Sequence, residues 1–427
     1  MVDVAALFSV IAIYSGAFLP VVMAISFLLG YSTINTVHKL SRTFVSNGGY
    51  YSYAGKTLGK FAGIFTGLLY IAYGILVVPN ISLFFSVFLS SILGLYFTVP
   101  GIAQVLFSLV FSATVVLFVS RGLKLTLKYT VVAGFMEMGA VLLLSVMFFL
   151  ALSGTPPALT FGGGTFDAIW TGVIFGILAF SGSGSSIFIS ENVEKPSFTV
   201  PRSLLTSYTV SGLIMVLSSL SLVLFLGNPG LQSYMGNPLI LPFLIGSRLG
   251  VAAFLLFAVF GIVSAFNLCV SYLNALSNSV RRMVSENLFG DRVRLSFRPF
   301  FLLGIVFALT VLSAIASYFS AGFFFMFAAI AGAVSLSYIS VHIIMNVALF
   351  RIRQRFSIFT TIMVFISSAF LVLSFYYSLA GNQYSLILSN IIFAFSLAGA
   401  LLVTLAIKIR KTHYDSIAIG NVLVSQD

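Results

Sequence analysis

Apolar residues along this chain neither alternate with a period of two nor keep to one helical stripe. They run in stretches of about twenty, each ended by a short charged, polar or Gly/Pro-rich segment. Some 20 apolar residues make a helix long enough to cross the ~30 Å hydrocarbon core of a bilayer. Eleven crossings are predicted, at Ala17 to His38, Phe61 to Ser90, Val99 to Val119, Tyr129 to Leu152, Ala168 to Ile189, Leu204 to Leu226, Val251 to Ser279, Phe300 to Tyr318, Gly322 to Phe350, Phe356 to Leu379 and Leu386 to Ile407. Ahead of them Val4 to Tyr14 is apolar but only about half a span long. Turns are expected at Ser153-Gly154-Thr155-Pro156-Pro157 and Gly227-Asn228-Pro229-Gly230.

Composition agrees with this pattern: 60% of the 427 residues are hydrophobic and 7% are charged, against roughly 25% charged in a soluble domain. A chain of this length has room for about ten to twelve spans and no sizeable domain outside the bilayer. The net charge of +12 is not a nucleic-acid face, because the basic residues lie in short clusters between apolar stretches. Lys39, Arg42, Lys56, Lys60, Arg121, Lys124, Lys128, Lys195, Arg202, Arg281, Arg282, Arg292, Arg294, Arg298, Arg351, Arg353, Arg355, Lys408, Arg410 and Lys411 fall on one side of the predicted topology, and Arg248 alone on the other. The positive-inside rule makes the first side cytoplasmic, together with the C-terminus and the polar tail that follows Lys411. Met1-Val2-Asp3 leads straight into apolar residues, without the positive region of a cleavable signal. Cys269 is the single cysteine and forms no intrachain disulfide.

One crossing carries Phe180-Ser181-Gly182-Ser183-Gly184-Ser185-Ser186 in its middle. Gly and Ser weaken a helix there, and broken backbone at membrane depth persists only when buried in protein or lining a cavity. Its free N–H and C=O groups suit the charged ends of a small zwitterion. Close packing of two helices through small residues explains the segment equally well.

The continuation, Glu191-Asn192-Val193-Glu194-Lys195-Pro196-Ser197-Phe198-Thr199-Val200-Pro201-Arg202, resembles helix 6 and the following loop of the amino acid–polyamine–organocation (APC) superfamily of permeases. Phe180, Gly182, Glu191, Pro196, Pro201 and Arg202 carry the resemblance. A second stretch, Phe44 to Gly59, is similar to the family's loop between helices 2 and 3, with Gly48, Gly49, Tyr51, Tyr53 and Gly59 in place and Val45 where the family usually has Pro. Val251 to Ser279 resembles helix 8, although Ser285-Glu286-Asn287-Leu288-Phe289-Gly290 replaces the common Arg-Asp-Gly-Leu-Leu-Pro.

The resemblance implies an all-α polytopic membrane protein of LeuT-type, with two inverted five-helix repeats plus two C-terminal helices and a site at the midplane where helices 1 and 6 are broken. It divides residues 1–427 into a first repeat (1–152), a second (167–350), two additional helices (356–410) and a cytoplasmic tail (411–427). Val4 to Tyr14 then matches only the outer half of helix 1, and a longer natural chain is expected to supply the rest. Substrate contacts are expected from Phe180, Ser181, Gly182, Ser183, Gly184, Tyr73 and Ser271, with Glu191 as a gating or structural residue. Ser264, Asn267, Ser271 and Asn274 share one face of their helix; interhelical hydrogen bonding explains that face as well as a cavity does.

Glu137 is a lone carboxyl deep in its crossing and must be protonated or paired there, which makes it the candidate for ion coupling. Through Lys128, it aligns near a position where some proton-coupled relatives carry a Lys. Cys269 is read as packing, Tyr73 as packing or a substrate contact, and His342 as a proton relay or as a residue near the interface.

The expected activity is secondary active transport of an amino acid or related amine across the cytoplasmic membrane by alternating access, as a cation- or proton-coupled carrier or an exchanger. H⁺ or Na⁺ is the coupling ion, the lipid bilayer the surrounding partner, and no cofactor, metal, enzymatic activity or nucleic acid is expected. The alternatives are a subunit of an energy-coupling complex, which would need a chain of buried ionisable residues, and a transport-incompetent or truncated permease homologue acting as a membrane binding or assembly partner.

Overall fold

The computed structural model describes residues 1–152, 165–237, 240–296, 299–352, 358–381, 383–419 and 423–424. The predicted turn at Ser153 to Pro157 lies outside them, as do Arg298, Arg353 and Arg355 of the basic set.

The long apolar stretches form helices, the open-ended element that satisfies its own backbone groups in lipid. The half-span is α1 (Val2–Ala5) followed by α2 (Leu7–Ser15), and the turn Gly16–Phe18 leads into α3 (Leu19–Thr43). Gly16 has φ +54°, a conformation that favours glycine. The strand β1 (Phe44–Val45) and the short helix α4 (Tyr50–Leu58) precede α5 (Lys60–Leu93), α6 (Gly101–Ser120) and α7 (Leu123–Leu150). The second half comprises α8 (Phe166–Ala179), a 3₁₀ segment (Ser181–Asn192), α9 (Pro196–Gly236), α10 (Leu241–Leu249), α11 (Val251–Ser285), α12 (Asp291–Ser296), α13 (Pro299–Phe319) and α14 (Phe323–Arg351). Then come α15 (Ile358–Ala380), α16 (Tyr384–Ile409), α17 (Lys411–Ser416) and β2 (Leu423–Val424).

Among the described residues, 11 helical segments are long and apolar enough to cross a membrane, with α1 to α3 taken as one. Most bounds agree with the sequence pattern to within a turn. The helices α7 and α9 start earlier, and α9 runs through the expected turn at Gly227, which kinks it at φ +60°.

Long-range packing pairs α3 with α9, α5 with α14, α2 with α8 and α7 with α11. Small residues set the closest approaches, and a side chain at Gly176 of α8 would collide with Ser26 of α3. Pro79 inside α5 removes one backbone donor, and the adjacent Asn80 Nδ2 donates across to the Phe327 carbonyl of α14 at 2.6 Å. Large apolar side chains such as Phe135, Phe319, Phe365 and Phe395 remain exposed on the outer faces, where lipid would cover them.

The basic residues collect at one end of the bundle, at the end of α3, the start of α5, the α6–α7 turn, the start of α9 and the ends of α11, α14 and α16. Arg248, on α10 at the other end, is held there by donating to the Phe225 carbonyl at 2.8 Å. The tail folds back on the basic end. Ile417 is buried with Tyr51, Ile64, Met283 and Leu288, the Ala418 N–H donates to the Glu286 carbonyl at 3.3 Å, and β2 pairs antiparallel with β1.

Candidate functional site

The α-helix of α8 stops at Ala179, and the chain continues as 3₁₀ helix from Ser181 to Asn192. This departure from α geometry is longer than the Ser181 to Gly184 break read from the sequence. Runs of 3₁₀ beyond three or four residues are uncommon, because the tighter turn has poorer hydrogen-bond geometry. Here serines support it. Ser181 Oγ donates to the Leu178 carbonyl and Ser185 Oγ to the Gly182 carbonyl, both at 2.8 Å, and Gly182 and Gly184 add no helix preference.

Beside the break lies a cavity of about 290 Å³, lined by Phe180, Gly182 and Ser183 with Met1 and Asp3 of the first half-span, Glu137 of α7, Ser211, Ile214 and Met215 of α9 and Asn267 of α11. A smaller void of about 30 Å³ shares Asp3 with it and is lined also by Ser181, Tyr272 and Asn80. Ser181 joins the walls. Its hydroxyl is within 2.6 Å of the Tyr272 hydroxyl and accepts from the Tyr73 hydroxyl at 3.3 Å.

The candidate residues therefore fall into groups. Phe180, Gly182, Ser183 and Glu137 line the large cavity and Ser181 the small one, with Tyr73 bonded to Ser181. Gly184 faces elsewhere, since a Cβ there would stand 2.5 Å from the Tyr50 hydroxyl. Ser271 is half-buried and lines neither void; its neighbour Tyr272 occupies the wall instead. On the same helix Ser264 donates to Glu137 Oε1, which also lies 2.7 Å from the Met1 amine. The predicted isolation of Glu137 is corrected by Asp3, a second carboxyl on the same cavity. Sequence reasoning missed both Asp3 and Tyr272. Asp3 had a visible signal, an acidic residue at the head of an apolar half-span.

Between the cavity and the basic end lies a plug of rings. Tyr70 stacks on Phe188 at 4.6 Å, and Tyr50 sets its edge against both at 5.4 and 5.6 Å. His342 is buried, with its Nε2 3.4 Å from the Tyr50 hydroxyl and its ring 4.2 Å from that of Tyr338. Below the plug, Glu191 accepts from the Asn47 N–H at 2.9 Å and pairs with Arg282 at 3.2 Å, while its own N–H donates to Asn47 Oδ1 at 2.9 Å. Arg282 also pairs with Glu286 at 2.8 Å. The 3₁₀ segment, the β1–α4 loop and the end of α11 are thus joined at one point. Cys269 is buried in the apolar core of α11.

A solved structure, the crystal structure of MhsT in complex with L-phenylalanine, resembles this chain with a TM-score of 0.61 at 15% identity, covering 88% of this chain and 95% of that one. At that identity the likeness concerns the fold: an all-α, LeuT-type arrangement of two inverted five-helix repeats plus two C-terminal helices. No curated relative matches the sequence. The family profile described as amino acid permease matches residues 3–416. That match takes in the broken helix, both carboxyl-bearing walls of the cavity and the plug beneath it, and the chain belongs to the amino acid permease family.

Proposed function

We propose that this protein carries an amino acid or related amine across the cytoplasmic membrane by alternating access, driven by exchange or by a coupled H⁺ or Na⁺. The observation that carries the reading is the end of α8 at Ala179 beside a cavity of about 290 Å³. Helix ends at membrane depth present unpaired backbone groups, the carbonyl end to a cation and the N–H end to a carboxylate. Phe180 supplies an apolar wall, and Asp3 and Glu137 supply carboxyl groups to receive an ammonium group or a coupling cation. The repeats run over 1–152 and 167–350, and the basic end faces the cytoplasm, as the positive-inside rule requires.

The test is reconstitution into liposomes and uptake of labelled amino acids, with L-phenylalanine, the ligand held by MhsT, as the first probe. Accumulation that another amino acid competes away supports the reading. Absence of both uptake and exchange across the whole amino-acid set overturns it in favour of a non-transporting membrane partner.

A further inference from the structure

A second polar cavity, of about 90 Å³, lies away from the transport path at the basic end, between the α6–α7 turn, the last turns of α11 and the start of α13. Asn274, Ser277, Asn278 and Arg281 line it, and their spacing of three, one and three places them on one face of α11. Its volume is several times the roughly 10–15 Å³ that one water needs.

The cavity is unusual in its balance of donors and acceptors. Asn274 and Asn278 are only 6% and 8% exposed, and the side-chain Nδ2 of each has no hydrogen-bond partner. Asn274 spends its carbonyl oxygen on the Thr126 hydroxyl at 3.1 Å, which leaves its amide free to face an acceptor. Gly122 and Leu123 bring the N-terminus of the 28-residue helix α7, with its unpaired backbone N–H groups, to the same wall. Arg281 adds a guanidinium, and the exposed Arg121 and Lys124 flank the turn. No carboxylate is among the lining residues. The nearest acid along α11, Glu286, is engaged by Arg282. Buried donors left without partners are costly, so they call for a ligand rich in acceptor oxygens and negative charge.

We propose that this cavity is a binding site for a phosphate group, supplied by an anionic lipid headgroup or by a free phosphate anion. The exposed Phe300 and the buried Leu303 beside Arg281 offer an apolar wall for the first acyl carbons of a lipid in the adjoining leaflet. Basic pockets between membrane helices recognise lipid phosphates by this combination.

The experiment uses the full chain in detergent, with binding followed by native mass spectrometry. The probes are dioctanoyl phosphatidylglycerol, dioctanoyl phosphatidylcholine and inorganic phosphate. Asn278→Leu and Arg281→Gln are the variants, because Asn274 also holds Thr126. The parent protein is expected to bind phosphatidylglycerol about tenfold or more tightly than phosphatidylcholine, and each variant to lose about tenfold. Melting of the ligand-free variants is the folding control. Asn278→Leu removes an unpaired buried amide and is expected to melt no lower than the parent. Selective loss of phosphatidylglycerol binding with inorganic phosphate inert assigns the site to lipid. Variant-sensitive binding of inorganic phosphate assigns it to the soluble anion. Equal affinity for both lipids, unchanged affinity in the variants, or binding of neither phosphate source makes the cavity a water pocket and overturns the proposal.

Discussion

At the scale of single residues, Glu137 receives a hydroxyl from Ser264 and lies against the Met1 amine, in a cavity it shares with Asp3. Substituting Gln keeps its shape and its capacity to accept the Ser264 hydrogen bond but removes a titrating proton. If Glu137 couples ion to substrate, Glu137→Gln abolishes pH-driven accumulation while one-for-one exchange persists. Unchanged accumulation with unchanged pH dependence would make Glu137 structural and move coupling to Asp3. A second titrating group lies outside the membrane-spanning helices, where burial and then the neighbouring Glu286 carboxylate push the Tyr51 hydroxyl of α4 well above the ordinary phenol range. A raised acid pKa in the folded state means that folding favours the protonated phenol. Its stabilisation is complete below the unfolded pKa of about 10 and is lost as pH rises above it. Thermal unfolding in detergent between pH 8 and 11 is expected to show that loss, and Tyr51→Phe to lessen it; equal slopes would refute it. Residue types with chemistry were visible in the sequence, but helix rotation was not. A face drawn through Ser264, Asn267, Ser271 and Asn274 found the Glu137 partner and, in Asn267, a wall of the large cavity, yet the small void is walled by Tyr272 rather than Ser271, a rotation of about 100° further round.

At the scale of elements, the broken helix decides the site, and its two glycines have different tasks. A Cβ on Gly182 meets only the Tyr272 hydroxyl, at 3.8 Å, whereas one on Gly184 stands 2.5 Å from the Tyr50 hydroxyl. Gly182→Ala therefore fits the fold and intrudes on the cavity wall, with weaker substrate binding and near-normal melting. Gly184→Ala forces Tyr50 away from His342 and the Phe188 ring, with a stability loss of about 1–3 kcal/mol, as for an overpacked core position. Comparing the melting temperature of the two variants with their substrate affinity checks this, and the reverse order of effects contradicts it. The Gly-Ser run announced the break because those residues disfavour an α-helix wherever they sit. Its length could not be read in the same way. The 3₁₀ geometry continues through Ile187-Phe188-Ile189, which have no such weakness, because Phe188 is fixed by Tyr70 and Tyr50 from other helices. Likewise the tail is polar in sequence, and only tertiary packing buries Ile417 beneath the α4–α5 corner.

At the scale of the whole molecule, the spans and the gathering of basic residues at one end were legible because lipid imposes length and charge rules on each crossing independently. Which side is closed depends on how distant segments meet. In this structure the rings of Tyr70, Phe188 and Tyr50 pack together between the cavity and the basic end, and beneath them Glu191 ties the 3₁₀ segment to Arg282 of α11 and to Asn47 of the β1–α4 loop. If the proposed alternating access opens that side by separating the 3₁₀ segment from α11, it breaks this junction. The ion pair is half-exposed, and such pairs contribute at most about 1 kcal/mol, which corresponds to roughly a fivefold shift in an opening equilibrium. A cysteine at Ser183 on the cavity wall, in a Cys269→Ala background, reports that opening through its reaction with a membrane-impermeant thiol reagent applied at the basic side. Glu191→Gln retains an oxygen for the Asn47 N–H but loses the pairing with Arg282, and is expected to raise the labelling rate about two- to fivefold. Glu194→Gln removes an exposed charge three residues away and is expected to leave it unchanged. Equal labelling rates in the parent and Glu191→Gln would show that the aromatic plug alone holds this side closed, and that the Glu191 junction positions the loop without acting as a gate.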